Sequence, residues 1–226
     1  QAKQNTRRSG LNQLPQGQLC PQREGEVMEI LLEDRAFYEQ SGGGITLSGG
    51  DPTYQHEFSA ELLKRCKKEG IHTAVETSMQ TGWDNLKSFA DWTDLFIVDI
   101  KLFKSEDHKT YTGTGNELIL SNFLKLASLG PEMLVRIPLI PGITAVPDNI
   151  ENIAGFVRDV SGRIPIELMN YNPLAENKYR LRNMEYNIIR GIKPLSQSQV
   201  DALYGIIGKM GVKAVRDQRI EYGSES

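Results

Sequence analysis

Cysteine is scarce in this chain: 226 residues contain two, Cys20 and Cys66. Two thiols exclude a disulfide scaffold and a four-thiolate metal site. Long apolar runs are also lacking, and none approaches the roughly 18 residues of a membrane-spanning helix. The opening stretch, QAKQNTRRSGLNQLPQGQ, holds no apolar core of the kind that marks a signal peptide. Neither charge sign dominates: 26 basic residues stand against 29 acidic ones, a formal net charge of −3. That balance favours neither nucleic acid nor an anionic membrane as partner. Phosphate-loop motifs are missing too. GGGITLSGG is followed by no Gly-Lys-Ser/Thr and does not fit GxGxxG. His56, His72 and His108 show no metal-binding spacing.

What is present is the composition of a soluble globular domain, 39% apolar and 24% charged. Residues 1–22 are polar and aperiodic and read as an irregular lead-in, 23–220 as one domain, and 221–226 as a tail. The contrast at residue 22 implies that the chain does not begin where a domain begins. Cytoplasmic localisation is expected.

Short β-branched runs recur at 44–48 (GITLS), 72–77 (HTAVET), 95–101 (LFIVDIK), 134–140 (LVRIPLI), 164–170 (IPIELMN) and 212–215 (VKAV). Helical patterns separate most of them. Residues 26–38 read as one helix. Phe58, Leu62 and Cys66 line one face of another, which Gly70 stops. Leu120, Phe123, Leu124 and Ala127 predict a third apolar face. Asp148 and Glu151 resemble a capping box ahead of Ile150, Ile153, Val157 and Val160. Val200, Leu203, Ile207 and Met210 share a face before Gly211.

Strands alternating with helices predict βαβ units and a parallel sheet, doubly wound or a partial TIM-like (β/α) barrel. LFIVDIK and LVRIPLI read as apolar on both faces, as buried parallel strands should be. Ligands sit at the carboxyl ends of the strands in either architecture. Those ends carry Ser48-Gly49-Gly50-Asp51-Pro52, Glu76-Thr77-Ser78, Asp99 with Lys101, Arg136, and Asn170-Tyr171-Asn172-Pro173. Asp99 and Lys101, two apart on a strand, face the same way. Together the ends offer carboxylates, an ammonium, a guanidinium and glycine backbone, a set suited to a zwitterion. Each also has a plainer reading: turn glycines, a structural Asp99–Lys101 ion pair, an Arg136 paired with an acid inside the barrel. Cys66, on an apolar helix face, reads as an inert buried thiol.

Five segments in this order resemble the radical S-adenosylmethionine (SAM) enzymes, and among them the activating enzymes of glycyl radical enzymes, the pyruvate formate-lyase activase group. They are DRAFY with SGGGITLSGGDPTYQ, then HTAVETS, LFIVDIKLFKSEDHKTYTG, VRIPLIPGIT and IELMNYNPLAENKY. The resemblance implies a partial TIM-like barrel binding SAM and a 4Fe–4S cluster. It implies that Gly49, Gly50 and Asp51 stand for a GGE motif whose backbone holds the SAM amino group. Glu76, Thr77 and Asp99 match positions beside the methionyl part, where a monovalent cation is expected. Lys101 matches a lysine near the SAM carboxylate, and Arg136 an arginine facing the same pocket. Met169 and Asn172 match adenosine contacts. The implied reaction breaks the SAM C–S bond after one-electron reduction by the cluster. The resulting 5′-deoxyadenosyl radical takes a hydrogen atom from a glycine of a partner glycyl radical enzyme. Flavodoxin or ferredoxin is the implied electron donor.

One feature of the family is not in this sequence, the CxxxCxxC motif that holds the cluster. Residues 26–38 match the helix before the family's second strand, so its first strand is expected upstream, leaving the edge of GITLS open. Cys20-Pro21 matches the end of a ferredoxin-like insert, an auxiliary cluster site. Two explanations stand: an N-terminally incomplete activase, or a degenerate homologue that binds SAM or a partner without catalysis. Incompleteness is preferred, because the kept GGD, Asp99, Lys101 and Arg136 are hard to explain in a domain that no longer handles SAM. The polypeptide as written is expected to be inactive. An iron-free barrel lyase or isomerase with Lys101 as Schiff-base lysine is a third reading.

Overall fold

A computed structural model describes the backbone of residues 21–171 and 192–216, and within them the side chains from residue 25 onward. In chain order the elements are α1 (Pro21–Glu33), α2 (Arg35–Ser41), β1 (Gly44–Leu47), a 3-10 turn (Pro52–Gln55), α3 (His56–Lys68), β2 (His72–Thr77), α4 (Trp83–Ala90) and β3 (Leu95–Asp99). There follow α5 (Ser105–Thr112), α6 (Glu117–Leu129), β4 (Glu132–Leu139), α7 (Pro147–Val160), β5 (Ile166–Asn170), α8 (Gln197–Lys209) and β6 (Ala214–Val215).

All six strands join one parallel sheet in the sequential order β1-β2-β3-β4-β5-β6. That order decides between the two architectures left open above. A doubly wound sheet reverses direction at a switch point and covers both faces with helices. Sequential right-handed crossovers keep the helices on one face and curve the sheet as an arc of a (β/α) barrel. β1 and β6 are the edge strands among the described residues.

The core lies between the sheet's convex face and the helices. Val75, Phe96, Val98, Val135, Ile137, Leu139 and Ile166 meet Leu63, Cys66, Leu86, Phe89, Phe123, Ile153 and Ile207 there, all with essentially no exposure. The opposite face is not a second apolar core. Along β4, buried Met133, Val135, Ile137 and Leu139 alternate with half-buried Leu134, Arg136 and Pro138. For LVRIPLI the expectation of two apolar faces is corrected by this alternation, which leaves its concave face to Arg136 and half-buried neighbours; LFIVDIK buries Phe96, Ile97 and Val98 in succession, on both faces, before Asp99.

Three local expectations are also corrected. Residues 26–38 form two helices rather than one, with Asp34 between them at φ −91° and ψ 8°. α6 buries Ile119, Asn122, Phe123 and Leu126, not the stripe of Leu120, Phe123, Leu124 and Ala127, and Leu124 is exposed. Both sets have helical spacing, but the true face contains a polar residue. At α7, Val146 is the N-cap and Asp148 makes no side-chain cap, because Pro147 opens the helix with its φ already set. A capping box does occur at α8, between Ser196 and Gln199.

Gly44 shows how closely β1 meets β2. A Cβ there would lie 1.9 Å from the carbonyl oxygen of His72, its register partner. Gly44→Ala is therefore expected to push the strands apart at a cost of about 1–3 kcal/mol. The check is a lower urea midpoint at unchanged slope, with faster amide exchange confined first to β1. A midpoint like that of the parent would contradict the close approach.

Candidate functional site

Register brings four ionisable side chains onto the concave face. Asp99 pairs with Arg136 across β3 and β4, Arg136 with Glu167 across β4 and β5, and Glu76 with Ile97 across β2 and β3. Residues in register point the same way, so Glu76, Asp99, Arg136 and Glu167 stand in one band across the concave face, near the carboxyl ends of β2 and β3, midway along β4 and early in β5.

Arg136 lies between two acids. Its Nε donates to Glu167 Oε2 at 2.5 Å and its Nη1 to Glu76 Oε1 at 3.2 Å. Burial alone would lower its pKa, but Glu167 first and Glu76 second outweigh that, hold it above the ordinary value and keep the guanidinium charged. Glu167 is buried, whereas the Glu76 side chain is about one-third exposed. Glu167 escaped the sequence reading, although an acid inside the run IPIELMN was a visible sign.

Lys101 Nζ donates to Asp99 Oδ2 at 3.2 Å, which is the ion pair of the plainer reading. The pair is not sealed: 37% of the lysine side chain and 29% of the aspartate side chain stay exposed, within reach of a ligand. Lys101 does not sit in the apolar pocket that suits a Schiff-base lysine. Its backbone is held from α7. Asn149 Nδ2 donates to the Lys101 carbonyl at 2.9 Å and to the Thr144 carbonyl at 3.0 Å, while its Oδ1 accepts from Phe103 N–H at 2.9 Å. An asparagine on a helix face gives no sequence sign of such a role.

The loop after β1 is fastened by its own carboxylate. Asp51 accepts from Thr53 N–H at 3.1 Å and Oγ1 at 2.7 Å, and from Ser78 N–H at 2.9 Å and Oγ at 2.8 Å. Thr77 Oγ1 stands 3.0 Å from both carboxylate oxygens. Burial pushes the carboxyl pKa up, but these donors outweigh it and leave it below the ordinary value. Thr77 lies on the convex side, buried, since consecutive strand residues alternate faces. Its hydroxyl is thus spent on Asp51, while Glu76 faces the concave side. Gly49 sits at φ +121°, which only glycine adopts easily, and its backbone stands clear beside the strand ends.

Met169, next to last in β5, is on the concave face and 36% exposed. Asn172 and Cys20 lie outside the described residues. Cys66 is fully buried on α3 with Sγ 3.7 Å from Met28 Sδ, and burial raises its pKa, as expected of an inert thiol. His108 is buried, with Nδ1 at 2.7 Å from the Thr114 carbonyl. Among the described residues no three His, Cys, Asp or Glu are grouped to hold a metal ion, and no helix is long and apolar enough to cross a membrane. A cavity of about 580 Å³ lined by Phe103, Leu124, Phe156 and Met210 lies on the helix side of the sheet.

A sequentially ordered parallel arc with charged side chains on its concave face is the architecture of a partial (β/α) barrel. Residues 16–157 match the Radical SAM superfamily, and the chain belongs to it. Within that superfamily the sequence is 39% identical over 165 residues to the (2S)-3-sulfopropanediol dehydratase activating enzyme of Klebsiella oxytoca, covering 72% of this chain and 52% of that protein. It is 35% identical to the choline trimethylamine-lyase activating enzyme of Oleidesulfovibrio alaskensis (81% and 60%) and 34% identical to the pyruvate formate-lyase-activating enzyme of Clostridium pasteurianum (72% and 68%). The chain thus spans between about half and two-thirds of these relatives. A solved domain of a pyruvate-formate lyase-activating enzyme from Bacteroides vulgatus superposes with a TM-score of 0.63 at 28% identity, over 77% of this chain and 99% of that one.

Proposed function

We propose that the concave mouth binds SAM and that the protein serves as an activating enzyme for a glycyl radical enzyme. The observation that carries this is the pairing of opposite charges along one open face beside Gly49-Gly50. A ligand with its own amino and carboxylate groups can exchange into those pairs without stranding a buried charge.

SAM, when bound, supplies the sulfonium whose one-electron reduction yields the hydrogen-abstracting species. The chain's own contributions are orientation and charge. Gly49 and Gly50 offer backbone carbonyls to the amino group. Lys101 offers its ammonium to the carboxylate, with Asp99 keeping the side chain in place. Glu76 and Asp99 give the mouth the negative charge that suits a sulfonium, and a monovalent cation in the same place. Arg136, steadied by Glu167, contributes the donors not turned toward the acids. Met169 contacts the adenosine, and the resemblance assigns the same contact to Asn172, which lies outside the described residues. Ordered in this way, SAM is presented in one geometry, which is the main service a protein renders to chemistry carried by a bound group.

The family uses a 4Fe–4S cluster, and the described residues do not fit one: their single cysteine, Cys66, is shut in the core. Cytoplasmic localisation, flavodoxin or ferredoxin as electron donor, and the glycine loop of a partner enzyme as substrate belong to the same proposal.

The test separates binding from cleavage. In equilibrium dialysis the 226-residue polypeptide is expected to bind SAM, and Lys101→Met to weaken binding roughly tenfold, the loss of one charge-assisted hydrogen bond. After anaerobic iron–sulfur reconstitution the same polypeptide is expected to release no 5′-deoxyadenosine, because two cysteines cannot supply three cluster thiolates. Absence of SAM binding, or equal binding by Lys101→Met, overturns the site. Formation of 5′-deoxyadenosine overturns the requirement for further cysteines.

A further inference from the structure

The turn after β2 holds Met79, the one non-glycine residue at positive φ among the described residues, at φ 59°. Methionine has no local reason to adopt this left-handed bend, which crowds its Cβ against the backbone. Nor is the residue at the surface, where strain is easily relieved; its side chain is fully buried. Such a conformation persists only where the surroundings over-determine it, and it points to a role for the turn.

The surroundings are supplied by α6. Asn122 is fully buried on the core face of that helix. Its Nδ2 donates to the Met79 carbonyl at 3.0 Å and to the Thr81 carbonyl at 2.8 Å. Its Oδ1 is buried without a hydrogen-bond partner. A buried amide that commits both N–H groups to one turn and leaves its oxygen unpaired is a poor choice for packing alone, since the unpaired oxygen has lost its water. An apolar residue would serve α6 better at this position.

From the turn, hydrogen bonds run without a break to the glycine loop. Met79 N–H donates to Thr77 Oγ1 at 2.9 Å. Thr77 and Ser78 supply the donors that hold Asp51, the residue next to Gly50. We infer that Asn122 is a positioning residue for the SAM-binding loop: it holds Met79 left-handed, the bend sets Thr77 and Ser78 against Asp51, and Asp51 fixes Gly49-Gly50. Asn122 thus acts from the helix layer on a site at the mouth of the sheet, without touching the ligand. The inference rests on the reading of the mouth as a SAM site, and it deepens that reading.

Glycine tests the logic, because it adopts positive φ at no steric cost. In the 226-residue chain, Asn122→Ala is expected to move the amide resonances of Gly49, Gly50 and Ser78 and to weaken SAM binding roughly five- to tenfold, the order expected for two lost hydrogen bonds. The milder Asn122→Ser is expected to move the same resonances less. Adding Met79→Gly to Asn122→Ala should return those resonances and bring affinity within about twofold of the parent. The thermal midpoint should stay low, because the methionine side chain is gone from the core. A purely structural Asn122 predicts the reverse, with no recovery of the loop. In the unsubstituted chain, Ser78 and Met79 amides are expected to resist hydrogen exchange as β2 does, and free exchange there overturns the clamp with no substitution made. Unmoved Gly49 and Gly50 resonances in a folded Asn122 variant overturn it as well. If the parent chain fails to bind SAM, the reading of the mouth falls, while the resonance and exchange measurements still decide the clamp.

Discussion

Asp51→Ala is expected to be among the most damaging single changes near the mouth, lowering stability by about 2–3 kcal/mol, the range for a lost buried hydrogen-bond network. One carboxylate gathers donors from Thr53, Thr77 and Ser78, so its removal strands several at once. Thr77 is buried and has no water to turn to. In a chain of this size the loss corresponds to roughly 4–12 °C in Tm. SAM binding should fall further than stability, because the loop carrying Gly49-Gly50 would lose its attachment to the end of β2. Asp51→Asn keeps the shape but turns one oxygen into a donor facing donors, and should recover little. Calorimetry and dialysis on the two variants check the expectation; a change in Tm of under about 1 °C with parental affinity would refute it.

The same carboxylate imposes a pH dependence. Its folded-state pKa lies below the ordinary 3.8. Above that ordinary value both the folded and unfolded chains hold Asp51 ionised, so its stabilisation is fully present. As pH falls below it, the unfolded chain takes up the proton first. Stability is then lost until the pH has passed through the lower folded-state value. Asp94 has a lowered pKa as well, where hydrogen bonds from Lys67 and Thr73 outweigh burial, so it adds in the same direction. Chemical denaturation between pH 3 and 6 should therefore show falling stability toward acid, with a shallower slope in Asp51→Asn.

Arg136→Met is expected to cost about 3 kcal/mol, the lower end for breaking a buried ion pair by removing one partner. The lower end applies because the arginine side chain is 23% exposed and water screens part of the loss. Most of the cost comes from Glu167, left as a buried carboxylate with its partner gone. Arg136→Lys should recover little, since one ammonium cannot span Glu167 and Glu76 as the two guanidinium nitrogens do. Arg136→Met combined with Glu167→Gln should be more stable than the sum of the single changes by roughly 1–3 kcal/mol, because the stranded charge is then gone. Additive losses would show that the two side chains do not depend on each other.

How much of this could be read without coordinates follows from the range of each cue. β-branched runs and their spacing located the six strands, because side-chain burial against a sheet leaves a short, local pattern in sequence. Gly49, Gly50, Asp51, Glu76, Asp99 and Lys101 stood out for the same reason, each sitting where a strand pattern stops, and Arg136 as a charge inside an apolar run. α6 shows the opposite case. Its leucines and phenylalanine offer two overlapping stripes, and the buried one is the stripe that contains polar Asn122.

The sequence by itself therefore determined the parallel βα organisation and, through motifs in order, the superfamily. Only the tertiary structure decided that the sheet is a sequential arc with a polar concave face, because strand order depends on crossovers that no local pattern records. It alone tied Thr77 to Asp51 across 26 residues, joined Arg136 to Glu167 across 31, and set Asn122 against Met79 across 43. These are contacts between polar groups far apart in the chain. Each side chain is unremarkable in its own segment and acquires its role only when folding removes water and leaves one partner within reach.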